Sequence, residues 1–305
     1  MKKPIEHIPI NSVAELHRLM GLHKPLHPLI TVIQFQDVPR VVQANSVSLV
    51  INLYGISLKK NLSGKLKYGQ GYYDFDEGVL GMTAPGQVLA SDSPGEFHAE
   101  GWWLLFHPDF IQGYPLANHI RKFGFFFYSV REALHLTERE ELQMETILKN
   151  IVTEYETAID LHSQDLMVSH LELLLNYANR YYARQFATRK IVNQPIVEKF
   201  EALLDAYFQS EKSEQGLPAV TFFSEQIHTS PHYLSDLLRK YTGQSAQQHI
   251  HGKLIEMAKL KLSTTDLTVS EIAYQLGFGH PQSFIKLFKA KEKKTPLEFR
   301  QMFYS

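Results

Sequence analysis

The chain has 305 residues, 44% hydrophobic and 21% charged, with a formal net charge of −1 and no cysteine. That length accommodates two domains with a core each, the composition is ordinary for a soluble globular protein, and the missing cysteine excludes disulfides and thiolate chemistry. No apolar run approaches the roughly 18 residues of a membrane-spanning helix.

The first residues, Met1-Lys2-Lys3-Pro4-Ile5-Glu6, lead into no apolar segment, so no secretory signal is expected and the cytoplasm is the expected location. From about residue 27 to 107, short stretches rich in β-branched and aromatic residues, such as "LITVIQFQDV" and "VSLVINLYGISL", are cut by Gly, Pro, Asp and Ser. This spacing predicts a compact β-sandwich or barrel. Trp102, Trp103, Tyr72, Tyr73 and Phe75 either line a small-molecule pocket or fill the sandwich core. Strand alternation turns only one of the two tryptophans inward. His98, Glu100 and His107 are the metal-ligand candidates of this stretch. They lack the His-x-His pair of metal-binding cupins, and the pair His249-Ile250-His251 splits across two faces of a helix. No metal, no cofactor and no catalytic residue is therefore assigned, because phosphate-loop and nucleophile-elbow patterns are missing too.

Between about 137 and 187 the period becomes helical, with Met144, Ile147, Leu148, Ile151, Val152 and Tyr155 on one face. Beyond a break at Asp160–Ser163, Met167, Leu171, Leu174, Ala178 and Tyr181 recur four and three apart, the pattern of a short coiled-coil seam that pairs two copies of the chain. "RQFATRKIVNQP" then reads as a linker because Pro195 and polar residues interrupt the period. The expected domains are 1–187, a linker 188–195, and an all-helical 196–305.

The helical part contains a repeat. "FSEQIHTSPHYLSDLLRKYTGQS" and "IAYQLGFGHPQSFIKLFKAKEKKT" each hold a short helix, a turn, a proline (Pro231, Pro281) at the favoured first helical position, and an apolar trio. The trios are Leu234, Leu237 and Leu238, and Phe284, Leu287 and Phe288. Thr268 with Glu271 and Ser245 with Gln248 fit capping boxes. Two helices across a short turn make a helix-turn-helix, whose second helix enters the DNA major groove. The helix expected over Ser245–Leu262 is about 27 Å long, close to the roughly 34 Å between successive grooves on one DNA face.

The stretches "SPHYLSDLLRKYTGQS" and "TVSEIAYQLGFGHPQSFIKLFKAKEKKTPLEFR" resemble the DNA-binding domain of the AraC/XylS family of transcriptional regulators. Lys293 stands where that family usually has a glycine, and Leu254 where it usually has a basic residue. The order of the first 187 residues, strands then helices, is similar to the family's cupin-like effector domain with dimerising helices. The resemblance implies an α+β protein that binds double-stranded DNA as a homodimer, answers a small-molecule effector and contacts RNA polymerase. Residues 196–305 hold 13 basic and 12 acidic residues, so the positive charge is local: Lys286, Lys289, Lys291, Lys293, Lys294 and Arg300 fall within fifteen positions. With the trios inward, His232, Ser235, Asp236 and Arg239 face DNA from the first reader, and Gln282, Ser283, Lys286 and Lys289 from the second; Asp236, repulsive near phosphates, either accepts from a cytosine amine or only caps or orients Arg239. The alternative from another class is a cupin-type enzyme or sugar-binding protein with a helical interaction tail.

Overall fold

The computed structural model of the chain describes residues 7–38, 48–63, 67–68, 71–72, 78–90, 98–129, 132–157, 160–188, 190–210 and 216–304. It is a mixed α+β protein with a helical C-terminal region. Its residues divide into two compact units, 1–185 and 186–305.

The first unit runs β1 (His7–Ile10), α1 (Val13–Leu19), β2 (Ile30–Gln34), β3 (Ser48–Ile51), β4 (Tyr54–Ser63), β5 (Lys67–Tyr68), β6 (Gly71–Tyr72), β7 (Val79–Thr83), β8 (Gln87–Ala90), β9 (His98–Phe106), α2 (Pro115–His119), β10 (Leu134–His135), α3 (Glu138–Glu156) and most of α4 (Ser163–Thr188). An antiparallel sheet has the order β10-β7-β4-β9-β2, and a smaller one the order β1-β3-β8, in which β1 and β3 run parallel. Strand alternation decides the faces. Ile56, Leu58, Leu80 and Leu104 are fully buried on one side of the large sheet. The other side carries Ser57, Gly81 and Trp103. Trp103 stacks on Phe35 at 6.1 Å and joins the cluster of Ile10, Val13, Leu16, Ile33, Ile51, Leu53 and Leu105. Trp103 is thus the tryptophan turned between the sheets, while Trp102 belongs to the opposite face. Tyr73, Phe75 and the side chain of Tyr72 lie outside the described residues.

Beneath this core a polar chain ties α1 to α3. His17 bonds the His23 carbonyl through Nδ1 and the Thr31 hydroxyl through Nε2, at 2.5 and 2.8 Å. Tyr155 accepts the Leu26 amide at 2.9 Å. Buried polar atoms need such partners, since an unsatisfied one costs about 1–3 kcal/mol.

Two expectations are corrected here. Met167, Leu171, Leu174, Ala178 and Tyr181 are all buried inside the single chain, so they form core rather than an open seam for a second copy. Helix α4 is held within its own unit: Tyr182 stacks on Phe125 at 5.3 Å, and Arg184 donates to Glu140 and to the His135 carbonyl. Four-and-three spacing arises equally when a helix lies along the wall of its own domain. Among its large apolar side chains α4 leaves Leu166 and Leu173 exposed. Second, residues 190–195 are helical instead of an irregular linker, because Pro195 sits six residues into α5 (Lys190–Gln209), where it removes one intrahelical hydrogen bond without ending the helix.

The second unit continues with α6 (Val220–Ile227), α7 (Pro231–Thr242), α8 (Ala246–Thr264), α9 (Val269–Gln275), α10 (Pro281–Glu292) and α11 (Pro296–Tyr304). One apolar cluster runs through it, with Phe200, Leu204 and Phe208 of α5, Phe223 of α6, Leu234 and Leu238 of α7, Ile250, Leu254, Ile255, Ala258 and Leu262 of α8, and Phe284 and Phe288 of α10. Leu254 is buried in it.

Candidate nucleic-acid interface

The two repeats fold to the same plan, offset by fifty residues between α7 and α10. In the first, α6 ends at His228 in the left-handed region, φ 63°. Ser230 then caps α7, its hydroxyl accepting the Tyr233 amide at 3.1 Å, and Pro231 takes the first helical position. The helix stops at Gly243, φ 77°, whose amide donates to the Arg239 carbonyl. Ser245 and Gln248 cap α8 reciprocally, at 2.8 and 3.4 Å. In the second repeat Thr268 and Glu271 form the same box on α9, and these bonds hold the Glu271 carboxyl below the usual range. His280 precedes Pro281 but makes no side-chain cap bond.

At the end of α10, Lys293 itself takes the left-handed cap conformation, with φ 61° and its amide bonded to the Lys289 carbonyl. A side chain in that region costs roughly 1–2 kcal/mol that glycine does not.

Inward faces follow the sequence expectation closely. Leu234, Leu237, Leu238, Phe284 and Phe288 are buried, and Leu287 is half-buried against the same cluster. Each fully buried side chain of this size contributes about 1.5–3 kcal/mol, which fixes the rotation of both helices about their axes. What remains outward are the candidate base readers. His232 and Arg239 are exposed on α7, with Ser235 and Asp236 half-buried; Gln282, Ser283, Lys286 and Lys289 are all exposed on α10. Asp236 accepts a hydrogen bond from Arg239 Nη1 at 2.5 Å, one turn away on the same face.

The basic cluster is less uniform than its sequence suggests. Arg300 donates to the Leu262 and Leu267 carbonyls, so its guanidinium serves the end of α8 and the following loop. Glu292 is paired with Lys259 at 2.7 Å. Lys286, Lys289, Lys291, Lys293 and Lys294 are exposed. The histidine pair of α8 does not converge: His249 bonds the Thr242 hydroxyl, whereas His251 lies beside Gln247. Burial lowers the pKa of both, and the charge of Lys291 lowers that of His251 further. His107, a metal candidate, instead accepts the Asp109 amide, Glu100 is exposed, and the side chain of His98 lies outside the described residues. Among the described residues no group of three metal-ligating side chains occurs.

Sequence reasoning missed one part of this unit. Phe186, from the last turn of α4, places its ring 5.2 Å from Tyr233, while Tyr241 donates to the Phe186 carbonyl at 2.7 Å. Asn193 of α5 is buried beside them. The signal available was the tyrosine pair itself, since the matching positions of the second repeat are Ser283 and Lys291.

Comparison with known proteins agrees with this plan. A family model described as a helix-turn-helix domain matches residues 223–302. An uncharacterized HTH-type transcriptional regulator of Bacillus subtilis (strain 168), YtdP, is 30% identical over 119 residues, which are 35% of this chain and 15% of the relative. An uncharacterized HTH-type transcriptional regulator of Staphylococcus aureus (strain MSSA476) is 29% identical over 140 residues, covering 46% and 18%. The chain thus matches less than a fifth of the length of these curated relatives. Among solved structures, the C-terminal domain of the two-component response regulator yesN from Fusobacterium nucleatum is 34% identical, covering 33% of this chain and 96% of that one, with a TM-score of 0.30. Residues 223–302 thus match a helix-turn-helix domain of the AraC type.

Proposed function

We propose that the protein is a sequence-specific DNA-binding transcriptional regulator. The observation that carries this reading is the pair of equivalent helices, α7 and α10, fixed on one core by α8 with polar faces outward and five exposed lysines along and just past the second. Lysines there neutralise phosphates, and the outward polar side chains reach base edges. A unit with a net charge of only +1 over residues 196–305 depends on groove fit more than on field strength, so its binding is salt-sensitive and moderate.

The first unit is, in this proposal, a cupin-like sensor. Effector binding shifts the population of DNA-competent molecules. The protein works in the cytoplasm as a homodimer and contacts RNA polymerase. With the α4 seam buried, the pairing surface has to include other residues, and the outward Leu166 and Leu173 are the ones on that helix.

Selection of bound sequences from random DNA, followed by salt-titrated affinity measurement, tests the reading. A selected sequence preferred over competitor DNA supports it. Stoichiometric bound metal without DNA affinity would favour a cupin-type enzyme instead.

A further inference from the structure

The first reader helix presents something the second does not: a carboxylate on its outward face, ion-paired to the arginine one turn on. Asp236 Oδ1 accepts from Arg239 Nη1 at 2.5 Å, and the acid is the more sheltered partner, 29% exposed against 56% for the arginine. The carboxylate therefore lies against the helix while the guanidinium stands out from it. At the two matching positions of α10 stand Lys286 and Lys289, both cationic.

An exposed ion pair of this kind adds little to stability, and a negative charge on a face meant for a polyanion repels it. Its effect is on orientation. A free arginine side chain samples many rotamers, and its planar fork matches a base edge only in one attitude. With Nη1 engaged by Asp236, the Nε and Nη2 donors remain side by side. That parallel pair fits the O6 and N7 acceptors of guanine.

We propose that Asp236 is a positioning residue which holds Arg239 in the attitude that reads a guanine, making α7 the more discriminating of the two readers. This rests on the DNA-binding reading given above. It carries an unusual signature, because Asp236 then acts in opposite directions on two quantities: it weakens binding to DNA in general and sharpens the choice of one base pair.

The experiment uses the full-length protein and the sequence selected from random DNA. Affinities are measured at one salt concentration for that site, for each single base-pair variant of it, and for unrelated duplex. Wild type, Asp236→Ala, Asp236→Asn, Arg239→Ala, Arg239→Lys and the Asp236→Ala/Arg239→Ala double variant are compared. Asp236→Ala is expected to bind unrelated duplex about threefold more tightly, since one repulsive charge is gone, and to lose about tenfold discrimination at a single G·C pair. Arg239→Ala should lose discrimination at the same pair, and the double variant no more than Arg239→Ala alone, as coupled residues do. Arg239→Lys should not restore it. All five variants should melt within a few degrees of wild type, because both side chains are on the surface. Asp236→Ala that keeps full discrimination at the pair read by Arg239 overturns the proposal. So does loss at a different pair, which would mean that the carboxylate itself accepts from a cytosine amine. A wild-type protein that selects no sequence defeats the DNA-binding reading instead, and so is told apart from both.

Discussion

The two helix-turn-helix repeats share a backbone plan but not a chemistry. The first gives α7 the residues its ends favour, a serine cap at Ser230 and a glycine stop at Gly243, with a mixed-charge face, though its turn holds His228 in the left-handed region. The second places His280 where a cap belongs and Lys293 where a glycine belongs, and it surrounds its end with lysines. Duplication preserves what the core enforces, namely two inward-facing trios and a proline at the helix start. It leaves caps and outward faces to diverge, because those contribute about 1 kcal/mol or less each.

The largest test of that contrast is in the cores, where the repeats should behave alike. Phe288→Ala in the second and Leu238→Ala in the first each empty a fully buried site. Losses of about 3–5 and 2–5 kcal/mol are expected from chemical denaturation. A tolerant second core would mean that only the first repeat is structural.

Reading chemistry should separate the repeats next. Lys286→Ala is expected to cost about 1–3 kcal/mol on the preferred sequence and to relax one base pair. An equal loss on every duplex would make Lys286 a phosphate contact and the second repeat purely an anchor.

The caps give a smaller effect with opposite signs in the two copies. Ser230→Ala removes the bond to the Tyr233 amide and should cost about 1 kcal/mol of stability, while His280→Ser should gain a few tenths to 1 kcal/mol by supplying a bond now missing. Thermal melts read both, and a neutral Ser230→Ala would show that the first repeat's better cap is inconsequential.

Much of this unit was legible because its rules are local. The capping residues Ser245, Gln248, Thr268 and Glu271, the prolines and the trios each state their own conformation within a few positions. What was not legible depended on distance or on the absence of a rule. Burial of Leu171 and Leu174 inside one chain and burial between two chains leave the same spacing in sequence, and only the neighbours of α4 distinguish them. Pro195 read as an interruption because a proline's tolerance depends on what surrounds the helix, here a cluster holding Phe200 and Leu204. Phe186 was assigned to the wrong side of a boundary, since nothing in its own sequence announces Tyr233 and Tyr241 as partners.

An effect of the same small order is expected at Lys293. Replacing it with glycine relieves the left-handed backbone and should add about 1 kcal/mol. The same change removes one cation, so the salt dependence of DNA binding should fall by about one phosphate contact. Gain in melting temperature without that fall would remove Lys293 from the interface.

Because α8 contributes Ile250, Leu254, Ile255, Ala258 and Leu262 to a single cluster shared with α7 and α10, the two readers cannot open separately. They melt as one cooperative unit. Occupancy at either one therefore protects both by mass action: a DNA site that engages only α10 still lowers the unfolded population of α7. A degenerate half-site can in this way keep the selective reader folded and present, ready for the groove beside it.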